Sequence, residues 1–219
     1  MKDLIKNENS GHGYDPIERV YLLVKQFSIN QDADQELIEL IALLHDVDDY
    51  KLVGSKNSET FYHSKRIMKD CPIDLQTQQQ VLEALQAIGY SKRLKGIVPQ
   101  TLEAKIVSDA DMCDALGVHG ILRTFQYSLN HGNVFFDPQH FPNKEMTYDQ
   151  YISSKKDTSI DPIFTKLLKL KDLMLTPKGK EEVLKRHSIM VEMLYHYFEE
   201  EGVNEWVDYL NQYLKVEDK

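Results

Sequence analysis

Apolar residues recur three and four positions apart through most of this 219-residue chain, and runs that alternate apolar with polar residues are scarce. That spacing gathers the apolar side chains of each segment on one helical face, so the chain is expected to be all-α, a set of amphipathic helices around a shared core. Helices are predicted over 16–28, 33–46, 58–70, 74–89, 100–116, 118–130, 160–171, 177–201 and 203–215. Several ends have local causes. Pro16 suits a first helical turn with Asp15 as its cap, Asp32-Ala33-Asp34 starts the second helix, and Pro72-Ile73-Asp74 separates two others. The least regular stretch, 131–158, carries Gly132, Asn133, Pro138, Pro142 and Asn143 among Phe135, Phe136, Phe141, Tyr148 and Tyr151. It reads as one long loop or lid whose aromatics pack onto something, because a free linker would lack them. No repeat or domain boundary stands out, and a single domain over 1–219 is expected.

Composition narrows the function classes. With 42% hydrophobic and 10% aromatic residues the chain can bury a core, which excludes wholesale disorder. A formal net charge of −9 argues against a nucleic-acid backbone as main partner, since phosphate tracking needs a basic footprint. The two cysteines, Cys71 and Cys113, are too few for a disulfide framework or a zinc ribbon and are expected as reduced thiols. Met1 to Ser10 is polar, and no stretch approaches about 18 uninterrupted apolar residues, so a cytoplasmic protein without membrane spans is expected. The run Glu199-Glu200-Glu201 near a helix end reads as solvated surface.

Chemistry concentrates in two places. In Ile41-Ala42-Leu43-Leu44-His45-Asp46-Val47-Asp48-Asp49-Tyr50-Lys51 an apolar helix ends abruptly in ionisable groups, an expensive arrangement unless they are paired or hold a metal. Adjacent helical residues point about 100° apart, so His45 and Asp46 can both approach one cation beside the helix end. A capped helix end with solvated carboxylates is the plainer account of that dipeptide taken alone. The second place is Asp109, Asp111 and Asp114 within the apolar segment 104–117. Asp109 and Asp111 lie about 200° apart around a helix. Leu102, Ile106, Asp109, Cys113 and Leu116 share one stripe, which makes Asp109 the more core-facing.

Together, Ile17-Glu18-Arg19-Val20, Leu44-His45-Asp46 and Lys105-Ile106-Val107-Ser108-Asp109-Ala110-Asp111 resemble the HD-domain metal-dependent phosphohydrolase superfamily, in its compact bacterial nucleotide pyrophosphohydrolase-like branch. The segment 164–170 and the helix through His187 look like the same branch, so the resemblance spans nearly the whole chain. It implies an all-α fold with a central metal pocket, a metal-site core of about 12–130, the loop 131–158 and C-terminal helices over 159–215. His45, Asp46 and Asp111 carry over as metal ligands, with Asp109 as second choice. Asp49 matches an acidic position that assists the attacking water, and Lys51 a lysine that would neutralise substrate. The implied reaction is hydrolysis of a nucleotide or another small phosphate ester or anhydride. A mixed imidazole and carboxylate set suits Mn²⁺, Fe²⁺, Co²⁺, Ni²⁺ or Zn²⁺ better than Ca²⁺, and the sequence does not choose among these and Mg²⁺.

One departure stands out. The family's first ligand is a histidine four residues before Val20, and here that position is Pro16, which has no donor atom. His12, one turn upstream and flanked by Gly11 and Gly13, could compensate only if that segment folds back. The departure sets up a second reading, a catalytically degenerate nucleotide-binding or regulatory relative. Lys92-Arg93, Lys105, Arg123 and Lys166 are further phosphate candidates, each more often a solvated surface charge. His63 could lie near the pocket and His187 could support it from the C-terminal helix, whereas His119, His131, His140 and His196 show no ligating pattern.

Overall fold

The structure, a computed structural model, describes residues 14–142 and 158–217. Apart from a bridge between Val134 and Thr158 the described residues are helices and turns, so the all-α expectation holds. The helices are α1 (Tyr14–Phe27), α2 (Gln35–Leu44), α3 (Tyr50–Val53), α4 (Ser55–Thr60), α5 (Tyr62–Lys69), α6 (Leu75–Ala87) and α7 (Tyr90–Leu94). After them come α8 (Leu102–Asp114) and α9 (Gly117–His131), then α10 (Pro177–Glu200) and α11 (Asn204–Glu217). Between α9 and α10 a π turn, Ile163–Leu167, runs into a 3₁₀ turn, Leu168–Leu173.

Side-chain caps fix the starts of the longer helices. Asp34 accepts from Leu37 N, Asp74 from Gln76 N and Thr77 N, Thr101 from Ala104 N and Thr176 from Gly179 N. Each satisfies amides that the helix leaves without an internal partner.

The centre of the molecule is α8, which packs against α1, α2, α6 and α10. Ala104, Ile106, Val107, Asp109, Ala110 and Cys113 are all buried around its circumference. This is why its apolar residues do not form one clean stripe: the helix is covered on several faces. Cys113 is buried and Cys71 exposed, both free thiols. Burial pushes the Cys113 thiol up to about 12, so it is inert packing.

The loop aromatics are anchored as expected. Phe136 and Phe141 meet Trp206 with ring centroids 4.9 and 4.5 Å apart, the Trp206 indole donates to the Pro138 carbonyl at 3.0 Å, and the Tyr209 hydroxyl donates to the Pro142 carbonyl at 2.9 Å. Tyr148, Tyr151 and the rest of 143–157 lie outside the described residues.

Three sequence expectations are corrected. The helix expected over 58–70 is broken at Phe61, which adopts a left-handed conformation (φ 51°, ψ 47°) between α4 and α5. The segment expected as helix over 160–171 is π and then 3₁₀, with the Phe164 carbonyl taken by the Tyr213 hydroxyl at 2.7 Å and the Asp161 carbonyl by the Thr165 hydroxyl at 2.8 Å. Finally, α3 and α7 stand where no helix was expected. Among the described residues no helix is long and apolar enough to cross a membrane.

Candidate functional site

His45 is the residue on which α2 ends, and its backbone keeps helical angles. Its ring Nδ1 lies 2.7 Å from the Ala42 carbonyl, which accepts the Nδ1 proton. Nε2 points across to α8, 3.8 Å from a carboxylate oxygen of Asp111. The His45 side chain is almost fully buried, whereas Asp111 keeps 32% of its side chain exposed, into a cavity of about 620 Å³. That volume is in the range of a small-molecule site.

The same cavity is lined by Asp46 and Asp49 from the turn after α2. It is also lined by Pro16 from the first turn of α1. Withdrawal from water raises the Asp111 carboxyl above the usual carboxylate range, and the Asp46 charge pushes it the same way. His45, Lys166 and Arg123 pull it back. These groups therefore surround one point on α8.

Basic residues line the pocket as well: Lys92 on α7, Lys95 just after it, Lys166 on the π turn and Arg123 on α9. The Lys166 ammonium sits 5.2 Å from the centre of the Tyr90 ring, a cation–π contact at the cavity wall. Arg123 is also structural. It donates to Asp114 at 2.6 Å, while Arg19 grips the same buried carboxylate from α1 at 2.7 and 3.1 Å. The arginine of the Ile-Xaa-Arg-Val stretch is thereby explained: it clamps α1 onto α8 through a paired, buried charge.

The other expected residues fall elsewhere. Asp109 is fully buried and faces away from His45, accepting from Leu175 N at 3.0 Å and from the amide and hydroxyl of Thr176, each at 2.7 Å. Arg93 donates to the Leu173 carbonyl at 2.6 Å, and neither it nor Lys105 lines the cavity. His63 and His187 do not line it either; His187 is buried on α10. His12 and the Lys51 side chain lie outside what the structure describes. Sequence reasoning missed Lys95, Tyr90 and Phe61 as lining residues. The signal for the first two was present: Gly89 and Gly96, both with positive φ, bracket the short basic helix.

Among the described residues no group of three or more His, Cys, Asp or Glu side chains is gathered closely enough to hold a metal ion. The chemistry of His45 nevertheless fits one, because a ring whose Nδ1 is tied to a backbone carbonyl presents Nε2 as a ligand, with a carboxylate beside it.

Comparison with known proteins gives this geometry relatives. The HD domain family matches residues 13–116. That part of the chain is similar to an HD domain. A crystal structure of a Lactobacillus plantarum protein superposes with a TM-score of 0.75 at 28% identity, covering 94% of this chain and 93% of that one. An HD-superfamily hydrolase from Bacillus thuringiensis superposes with a TM-score of 0.70 at 28% identity, covering 92% of each chain. YpgQ of Bacillus subtilis, an uncharacterized protein, is 26% identical over 196 residues, which cover 89% of this chain and 86% of YpgQ. Its crystal structure in complex with ADP superposes with a TM-score of 0.67 at 25% identity, covering 91% of this chain and 94% of that one. HD domains generally depend on a divalent metal.

Proposed function

We propose that this chain is an HD-domain protein that hydrolyses a phosphate ester or anhydride of a nucleotide in a divalent-metal-dependent reaction. The observation that carries the reading is His45 Nε2 turned toward Asp111 in a cavity that Lys92, Lys95 and Lys166 also line. An acid and imidazole centre that shares a cavity with several basic residues suits a cation together with phosphate oxygens. The ADP held by YpgQ supports a nucleotide as the phosphate's carrier.

In this reading His45, Asp46 and Asp111 hold the ion, which supplies charge neutralisation for phosphoryl oxygens and acidifies water. Asp49 orients or deprotonates the attacking water, Lys51 neutralises substrate, and Lys92, Lys95 and Lys166 bind the phosphates. Residues 1–219 act as one domain.

Metal content tests the reading. Full-length protein purified without chelator should take up stoichiometric Mn²⁺ or a similar ion, and Asp46→Ala should lose it while circular dichroism keeps the parent's helical signal. Retained metal in the folded variant would remove Asp46 from the ligand set.

A second reading has its own observation. Pro16 borders the cavity, a position that offers no donor atom. A protein that binds ADP yet stays metal-free throughout a titration would be a degenerate nucleotide-binding relative.

A further inference from the structure

Among the described residues only two other than glycine have positive φ: Asn30, of a type that tolerates it, and Phe61. Phe61 carries a bulky ring at a joint where glycine or asparagine would be unstrained. It closes α4, its amide donating to the Asn57 and Ser58 carbonyls, and it stands at the N-cap position of α5, where its side chain can accept nothing.

The missing cap comes from a distance. Asp48, buried beside the His45-Asp46 turn, accepts from His63 N at 2.9 Å, from Ser64 N at 2.8 Å and from the Ser64 hydroxyl at 2.6 Å. His63 and Ser64 are the two amides that a capping side chain at position 61 would satisfy. One acid of the Asp46–Asp49 cluster thus replaces the cap that position 61 lacks, and it ties the start of α5 to the candidate metal-binding turn.

Position 61 is thereby free to hold an aromatic residue, and Phe61 is one of the residues that line the cavity with His45 and Asp111. Phe61 is partly buried against the core, a task that an aliphatic side chain would perform equally well. Among the described residues no other ring packs on it, in contrast to the rings gathered around Trp206.

We infer that Phe61 is the surface on which the planar base of the bound nucleotide stacks, making it the residue that distinguishes a nucleotide from a bare phosphate chain. The inference rests on the nucleotide reading above and adds the group that recognises the base. Leu85 of α6 and Ile88 just after it supply further apolar lining, and Gln86 and Glu59 supply polar groups in the same cavity. Asp48 acts as a positioning residue.

The test is calorimetric titration of the protein with ADP and, separately, with inorganic pyrophosphate, in the parent and in Phe61→Leu and Phe61→Tyr. The parent should bind ADP more tightly than pyrophosphate. Phe61→Leu should weaken ADP about 10-fold, the loss of one base–aromatic stack, and change pyrophosphate less than about twofold. Phe61→Tyr should restore ADP affinity. Phe61→Met serves the same comparison if circular dichroism shows that the leucine variant does not fold. Unchanged ADP affinity in the folded leucine or methionine variant would overturn the role of Phe61 and leave the nucleotide reading standing. A parent that binds pyrophosphate as tightly as ADP would also overturn it, because the nucleoside then adds nothing. A parent that binds neither ADP nor pyrophosphate would overturn both readings.

Discussion

Asp109 and Asp111 sit two positions apart on α8 and face different surroundings. Asp109 accepts hydrogen bonds from Leu175 and Thr176 in full burial, and Asp111 opens into the cavity opposite His45. Asp109→Asn turns an amide N–H toward donors that need an acceptor, so it should cost about 1–3 kcal/mol in urea unfolding. Asp111→Asn should leave the unfolding midpoint near that of the parent while abolishing metal uptake and turnover. Equal destabilisation by the two variants would contradict this division. Helical spacing identified Asp109 as the core-facing acid, and it is. The same spacing was silent about Asp111, because a helix covered on several faces has no single inside. The neighbouring acids show the other limit: Asp48 and Asp49 look alike in sequence, and only the amides of His63 and Ser64, some fifteen residues away, show that Asp48 is a cap.

At the scale of elements, α8 and α10 approach closely. Thr176 caps α10, Pro177 follows in the first turn, and a Cβ added at Gly179 would come within 2.7 Å of Asp109 Cγ. Gly179→Ala should therefore destabilise by about 1–3 kcal/mol, as overpacking does, and a thermal melt of the double variant with Asp109→Ala should recover part of that loss. Full additivity would show that the two positions do not collide. In α1, Pro16→His should raise metal affinity if the proline merely stands where a fourth donor belongs, at a loss of about 0.4–1 kcal/mol of stability through the unfolded chain. Unchanged affinity in a folded variant would leave two outcomes, separated by His12→Ala in the parent: lost metal assigns the position to His12, and no change leaves a three-ligand site or none. The long helices were legible because each spans several turns of one apolar period. Helices of four to six residues, such as α3, α4 and α7, are too short to show a period. The π and 3₁₀ turns depend in part on Tyr213, whose bond to the Phe164 carbonyl comes from far along the chain.

In the whole molecule the cavity is assembled from distant segments: Pro16 on α1, His45 after α2, Asp111 on α8 and Lys166 on the π turn. Motif order made the acid and imidazole side of this constellation legible in the sequence. The basic side was legible only as a set of candidates, because nothing local separates Lys92, which reaches the cavity, from Arg93, which ties α7 to the Leu173 carbonyl. Assembly from such unequal parts also has a consequence in time. Helix α8 is buried around its circumference, so its amides should exchange with deuterium only when the molecule unfolds globally. None of the described side chains from Leu52 to Thr60 is buried, and the helices there are one turn or slightly more, so that segment should open locally and often. An ion shared by His45, Asp46 and Asp111 would tie the turn that leads into this segment to α8. Hydrogen-exchange mass spectrometry with and without Mn²⁺ should show new protection over 45–60 that exceeds any change over 102–114. Equal gains in the two segments would mean that the ion stabilises the fold as a whole. Protection confined to 45–60 would make metal arrival the event that sets a mobile edge against a rigid post.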